Sequence, residues 1–139
     1  MTTRVLFPES KDELKEMMKA EIDKNGKECS LNHIDVSAIT DMSGLLRADI
    51  DSIFKYKLHG FNGDISEWDV SNVENMERMF TDSEFSKNIS KWKVNKNCGT
   101  SLMFDMCPIK KVNMPKDLQD NPDVKKNKKP RKIDWSKRP

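Results

Sequence analysis

A repeat in the middle of the chain constrains its fold more than any other feature. The segment FNGDISEWDVSNVENMERMF, residues 61–80, aligns without gaps with FSKNISKWKVNKNCGTSLMF, residues 85–104, at an offset of 24 residues. The positions that the two segments share are Phe61/Phe85, Ile65/Ile89, Ser66/Ser90, Trp68/Trp92, Val70/Val94, Met79/Met103 and Phe80/Phe104. All of these except the serine are apolar, whereas most of the polar positions differ. A repeat that keeps its apolar residues in this way indicates structural units that stack on one another.

The same apolar spacing predicts four units. An apolar residue, two polar residues, an apolar residue, one polar residue and a further apolar residue also occur at residues 31–36 and 109–114. Because side chains alternate along a strand, we expect the apolar positions to form two buried columns. One column holds Ile34, Trp68, Trp92 and Val112, and the other holds Val36, Val70, Val94 and Met114. Apolar residues at spacings of three then follow, as at Val73, Met76 and Met79, and predict a short helix behind each strand.

Both ends of the repeat region carry further signals. Ser10 and Glu13 have the spacing of a helix capping box, an apolar stripe follows, and Gly26 is placed to end a helix, so we predict a helix over residues 10–24. This helix is expected to cover the N-terminal side of the first unit. An apolar-rich insertion at residues 47–60 is expected to pack on the body. The predicted divisions are an N-terminal capping helix region, 1–30, a leucine-rich-like solenoid, 31–118, and a basic tail, 119–139.

The residues between the buried columns are the candidate binding surface. Asp35, Asp69, Lys93 and Asn113 are expected to face outward as a row with neighbours about 4.8 Å apart. Asp64 and Glu67 belong to a group of acidic residues in the second unit. This group has three interpretations, a solvated face, a surface that binds a protein partner, or a calcium site. The sequence favours the first two, because the carboxylates alternate along elements that face different ways.

Charge and motif content limit the classes of function. Residues 1–109 carry a net charge of −5 and residues 110–139 a net charge of +7, so an acidic body precedes a basic end. No apolar run of membrane-spanning length and no apolar core of a secretion signal occur, so we expect a cytoplasmic protein without membrane contact. The three cysteines are expected to be reduced thiols. The common catalytic and phosphate-binding motifs are lacking, and we predict no enzymatic activity, no cofactor and no metal site.

The basic tail has three interpretations that the sequence leaves open. It is a solvated mobile segment, it folds back along the acidic body, or it contacts nucleic acid through its cations. The candidate residues for nucleic-acid contact are Lys125, Lys126, Lys128, Lys129, Arg131 and Lys132.

The motif FNGDISEWDVSNVENMERMF resembles the repeats of the bacterial leucine-rich-type surface-protein family typified by BspA, which read close to FNxDISxWDVSNVxxMxxMF. The resemblance covers residues 31 to about 118 and is strongest in the second unit. It implies a right-handed solenoid with a parallel sheet, no catalytic centre and a role in binding other macromolecules. The expected fold is therefore an α/β fold, a short right-handed leucine-rich-repeat-like solenoid of about four coils with parallel strands, short helices and an N-terminal capping helix.

Three functional hypotheses follow. The first is a non-enzymatic module that binds a protein partner, of the kind that phage or mobile elements use as small intracellular inhibitors of a host protein. The second is a nucleic-acid-associated protein that acts through its basic tail or through a nucleoprotein partner. The third is a fragment of a bacterial surface adhesion protein. The expected assembly state is a monomer or an edge-paired dimer.

Overall fold

The computed structural model describes residues 5–48 and 58–125, which form one α-helix and four single-turn 3₁₀ helices. The α-helix, α1, spans Lys11–Asn25, and the 3₁₀ helices span Leu58–Gly60, Lys111–Asn113, Lys116–Leu118 and Pro122–Val124. No residue of the two described ranges belongs to a β-strand. Isolated parallel bridges join Leu6 to Ile34, Asp41 to Asn75, and Asn75 to Gly99.

The prediction of an α/β leucine-rich-repeat-like solenoid, with parallel strands in about four coils, is therefore wrong. The spacing of three residues that was interpreted as the start of a strand closes a tight turn instead. Trp68 N–H donates to the carbonyl of Ile65 at 3.2 Å, and Trp92 N–H donates to that of Ile89 at 3.0 Å. Backbone groups that bond within a turn are not available to a strand ladder, so the repeated motif folds as turns.

The repeats nevertheless lie in register, and most of the backbone hydrogen bonds between them come from the part of the motif that was predicted to be helical. We name residues 27–48 the first repeat, 61–84 the second, 85–108 the third, and 109–125 the C-terminal segment. Equivalent residues donate to successive neighbours in one direction along the molecule. Leu46 N–H donates to Met79 O at 2.8 Å, Phe80 N–H to Met103 O at 2.9 Å, and Phe104 N–H to Val124 O at 2.7 Å.

An aromatic core runs through the repeats. Phe80 lies at its centre, with ring centroids 4.7 Å from Phe85 and 5.4 Å from Phe104. Phe61 stacks on Phe85 at 6.5 Å, and every one of these rings is at most 1% exposed. Burial of a large apolar side chain contributes about 1.5–3 kcal/mol, so the apolar positions that the repeats share supply the main stabilisation.

The predicted N-terminal helix is present. The Ser10 side chain caps α1 by accepting a hydrogen bond from Glu13 N–H at 3.2 Å, and Gly26 follows the helix with a positive φ of 92°. Leu14 and Met18 are completely buried in the same core as the repeats. Lys11 reaches the first repeat, where its ammonium group donates to the Ser43 carbonyl and hydroxyl, each at 3.1 Å.

The C-terminal segment has a register different from the predicted one. Val112 was predicted to be buried in line with Trp92, but it is 70% exposed. Ile89 N–H donates to Asn113 O at 2.9 Å, as Leu31 N–H donates to Asp64 O in the earlier repeats. Met114 therefore occupies the position of Ile89. Most of the insertion predicted at residues 47–60 lies outside the described residues, although Leu58 is buried in the core.

Candidate protein-binding surface

The two tryptophans determine which residues face outward. Trp68 Nε1–H donates to Leu31 O at 2.9 Å, and Trp92 Nε1–H donates to Ile65 O at 3.0 Å, so each indole bonds to the equivalent residue of the preceding repeat. Their rings stack at 6.3 Å with an interplanar angle of 10°. Both are almost completely buried, as predicted. The residues on either side of each indole are exposed, and they are Glu67, Asp69, Lys91 and Lys93.

Short turns built on aspartate and asparagine side chains hold this surface. Asp64 Oδ1 accepts the N–H of Ser66 at 2.9 Å, Asp69 Oδ1 accepts that of Ser71 at 3.1 Å, and Asp35 Oδ1 accepts that of Ser37 at 2.9 Å. Such a turn keeps the backbone bent without a contribution from distant residues. The same contact, between a side chain and the residue two positions later, recurs at Asp41, Asn75, Asn88, Asn95 and Asn121.

These turns keep the carboxylates ionised. Hydrogen bonds from the Ser37 hydroxyl and N–H lower the pKa of Asp35, and those from Ser71 lower the pKa of Asp69 in the same way. The hydrogen bonds from Ser71 dominate the pKa of Asp69, and the negative charge of Asp35 raises it to a smaller extent. Asp35 and Asp69 therefore keep their negative charge to a lower pH than an ordinary aspartate does.

The predicted row of four residues is only partly assembled. Asp35, Asp69 and Lys93 occupy equivalent positions in the first, second and third repeats, and Asp69 and Lys93 are exposed while Asp35 is half-exposed. Asn113 is in register with Asn88, and its side-chain amide donates to Ser86 O at 3.4 Å. It therefore lies on a different column from the other three. This displacement has the same cause as the exposure of Val112, because the C-terminal segment pairs with the third repeat through Asn113.

The other two predicted site residues lie on the second repeat and are exposed. Glu67 is tied to the first repeat through its backbone, because its N–H donates to Asn32 Oδ1 at 2.9 Å. The carbonyl of Asp64 accepts the N–H of Leu31. Hydrogen bonds from the N–H and hydroxyl of Ser66 lower the pKa of Asp64, and the charge of Lys87 adds to this effect. Both backbones are thus fixed, and both residues are exposed to solvent.

Among the cations proposed for nucleic-acid contact, Lys125 is the one that the structure describes. Its ammonium group donates to the carbonyl of Ile109 at 3.0 Å, and it is half-exposed. Lys125 therefore stabilises the end of the C-terminal segment. Lys126, Lys128, Lys129, Arg131 and Lys132 lie outside the described residues.

The cysteine and histidine residues form no metal centre in the described ranges. No group of three or more His, Cys, Asp or Glu side chains there is placed to hold a metal ion. Cys29, Cys98 and Cys107 are free thiols, as expected, and burial raises the pKa of each. His33 contacts Glu21 of α1 through its Nε2 atom, so this histidine joins the helix to the first repeat.

Sequence reasoning missed the polar contacts between repeats. Asn62 Oδ1 accepts the N–H of Ser86 at 2.9 Å, and its amide donates to the Ser86 hydroxyl at 3.1 Å. Asn72 likewise donates to Ser37 O at 2.9 Å. An asparagine or aspartate two residues before a serine, found several times in the printed sequence, was the signal that could have predicted the turns.

The fold and surface define a protein of stacked turn repeats with a fixed row of exposed charges. The sequence matches the family described as "Mycoplasma protein of unknown function, DUF285" over residues 12–129, and the chain belongs to that family. No curated protein and no solved structure matches the chain. Within the described residues, no helix has the length and apolarity needed to cross a membrane.

Proposed function

We propose that this chain is a non-enzymatic protein-binding module. Its contact surface is the outward row of the first and second repeats, which consists of Asp35 and Asp69. The observation that carries the proposal is the fixation of Asp35 and Asp69 on adjacent turns, each anchored by its own serine. The partner surface is expected to be basic, because two neighbouring carboxylates favour cationic groups.

The backbone beneath this row supports such a role. Trp68 and Val70, which flank Asp69, are buried in the core, so the exposed carboxylate stands on a rigid base. A surface that is ordered before binding loses little conformational entropy when a partner docks. Charged rims also increase the rate of association with a partner of opposite charge.

The test is affinity purification from cells of the source organism with the wild-type chain and the double variant Asp35→Asn/Asp69→Asn. Asparagine keeps the oxygen that accepts the serine N–H but removes the charge, so the fold is expected to persist. The matched control is Glu16→Gln/Asp117→Asn, which removes the same charge at two exposed positions elsewhere. Partner recovery should fall at least tenfold for the first variant and remain unchanged for the control. Equal recovery in all three samples would exclude this row as the binding surface.

The family match favours a second, narrower candidate, in which the module is part of a surface protein of the BspA type. The motif at residues 61–80 resembles repeats of that family, and the DUF285 match spans it. Labelling of intact source cells with a reagent that does not cross membranes provides the test. Modification of the lysines in intact cells would support a surface location, and modification only after lysis would support the intracellular location that the sequence predicts.

Nucleic-acid contact through the basic tail stays a prediction, and the structure indicates where a truncation would remove the tail without disturbing the fold. Val124 is buried and bonds to Phe104, so truncation after Asp120 would disturb the fold. Truncation after Lys125 keeps every described contact of the C-terminal segment. A gel shift that is lost in this variant, and that weakens steeply with salt, would support the tail hypothesis. No shift by the full chain at low salt would exclude it.

A further inference from the structure

Exposed charges change sign between the second and third repeats. Residues 61–84 contain seven acidic residues and one basic residue, and residues 85–108 contain four lysines and one acidic residue. The change is sharpest beside the tryptophans, where Glu67 and Asp69 of the second repeat correspond to Lys91 and Lys93 of the third. We name these four residues the charge-reversed face.

The stacked indoles fix the geometry of this face. Because Trp68 and Trp92 stack in register, Glu67 lies on the same column as Lys91, and Asp69 lies on the same column as Lys93. All four side chains are exposed. Among the described residues, none of them has an ion-pair partner within 4.0 Å. Glu67 and Asp69 thus form an acidic row along the second repeat, and Lys91 and Lys93 form a basic row beside it along the third repeat. The charges of both rows are available to another molecule.

A partner of uniform charge that covered the whole charge-reversed face would match one row and be repelled by the other. A second copy of the chain can match both rows. It is rotated by 180° about an axis that lies in the plane of the contact, parallel to the two rows and midway between them. The rotation sets Glu67 opposite Lys91 of the second copy and Asp69 opposite its Lys93, and symmetry repeats each pair. We propose that the charge-reversed face is a self-association surface, and that its occupant is a second copy of this chain.

The predicted dimer is weak and sensitive to salt. Exposed ion pairs each contribute little, and salt screens them. The inference rests on the proposed function only in that both use Asp69 of the outward row. Either proposal can fail without the other. Self-association needs no other protein, whereas capture of a partner uses Asp35 and needs no basic row.

The experiment is sedimentation velocity of the full chain over a concentration series at two salt concentrations. The Debye length is about 30 Å at roughly 0.01 M ionic strength and about 8 Å at roughly 0.15 M. We expect concentration-dependent dimers at the lower value and at least tenfold weaker association at the higher one. A chain that stays monomeric at every concentration in low salt would overturn the inference.

Charge exchange between variants sharpens the test. Glu67→Lys/Asp69→Lys makes the face wholly basic, and Lys91→Glu/Lys93→Asp makes it wholly acidic. Each variant alone should remain monomeric, and an equimolar mixture should form heterodimers at least as tight as the wild-type dimer. Circular dichroism melting verifies that both variants fold. If replacement of Asp69 prevents folding of the basic variant, the acidic variant alone still decides whether the wild-type dimer needs the two lysines.

The control is Lys24→Glu/Lys110→Glu, which makes the same change in net charge at exposed positions outside the face. It should dimerise as the wild type does. Dimers that persist in the acidic variant, or a mixture of folded variants that does not associate, would overturn the inference. Capture of a partner through Asp35 and Asp69 without any self-association would overturn it too, while supporting the proposed function.

Discussion

Single residues with a left-handed backbone bend the chain at equivalent points of successive repeats. Gly44, Arg78 and Leu102 are equivalent by the repeat offsets, and their φ angles are 61°, 56° and 55°. Asp82 and Met106 form a second equivalent pair, with φ angles of 58° and 56°. Residues with a Cβ atom are strained in this region of the φ/ψ map. The first repeat avoids that strain with glycine, whereas the later repeats accept it.

Replacement of Arg78 by glycine is therefore expected to stabilise the protein by about 1 kcal/mol, because relief of the left-handed strain exceeds the added entropy of the unfolded chain. The measurement is the free energy of unfolding from urea titration. The control is Arg47→Gly, at an exposed residue that is not among those with positive φ. It should not raise stability. A loss of stability in Arg78→Gly would contradict the strain argument.

At Gly63, the space around the residue, and not its backbone angle, determines the effect of a substitution. A Cβ atom added there would lie 1.9 Å from the backbone carbonyl oxygen of Cys29, which cannot move without shifting the first repeat. Gly63→Ala is expected to cost at least about 1–3 kcal/mol, as overpacking does. At Gly99, the nearest atom to an added Cβ belongs to the flexible Glu77 side chain at 3.4 Å. The stability of both variants is measured by thermal melting. Gly99→Ala should be nearly as stable as the wild type, and equal losses of stability in the two variants would refute the steric explanation.

At the scale of elements, the side-chain turn replaces the strand as the structural unit. Each turn needs an oxygen at one position and a backbone N–H two residues later, and it forms from local contacts. Neighbouring turns are then joined by backbone bonds such as Met76 N–H to Gly99 O at 2.7 Å and Glu74 N–H to Thr40 O at 2.7 Å. Such bonds recur at alternate residues from Met42 to Ala48, but the N–H groups between them bond within turns. The pairing in both directions that a sheet needs is therefore confined to isolated bridges.

The turn at Asn88 provides a direct test of this unit. Asn88 is exposed, and its Oδ1 accepts the N–H of Ser90 at 2.9 Å. Asn88→Ala removes the acceptor and should destabilise the protein by about 0.5–1.5 kcal/mol, the usual contribution of one hydrogen bond. Asn88→Asp keeps an acceptor and should retain most of the stability. If alanine and aspartate have the same effect in urea titration, the side-chain oxygen does not hold the turn.

At the scale of the whole molecule, the turn carboxylates link stability to pH. Hydrogen bonds from serines lower the pKa values of Asp35, Asp64 and Asp69. Burial would raise the pKa of Asp41, but its bonds to Ser43 and the charge of Lys11 outweigh that effect. All four groups thus bind a proton less readily in the folded state than in the unfolded state.

Stability should consequently fall in acid. A carboxyl group with a lowered folded pKa contributes stability above its unfolded pKa of about 3.9, and this contribution is lost as the pH falls through the folded value. We expect the urea midpoint to decrease between about pH 5 and about pH 3. The variant Asp64→Asn/Asp69→Asn keeps the turns without these charges, so its decrease should be smaller. An equal decrease in both proteins would show that these two carboxylates are not responsible.

Much of the core and one helix could be predicted from the sequence because they depend on local patterns. The capping residues around α1 and the apolar positions of the repeats are readable without coordinates, and burial of Trp68 and Trp92 follows from them. The backbone conformation of the repeats could not be predicted in the same way. A spacing of three residues between apolar positions fits the start of a strand as well as a turn, and the alternation at Trp68 and Val70 favoured the strand.

The sequence by itself determined most of the buried positions of the repeats, because apolar side chains at fixed offsets leave water in any fold that stacks the repeats. Only the tertiary structure decided how the backbone connects them and which charges face one another. Those outcomes depend on contacts between distant residues, such as Trp92 with Ile65 and Asn113 with Ile89. The register of the C-terminal segment shows the reason. Its apolar spacing allowed Val112 an inward position, but pairing with the third repeat left that residue in solvent.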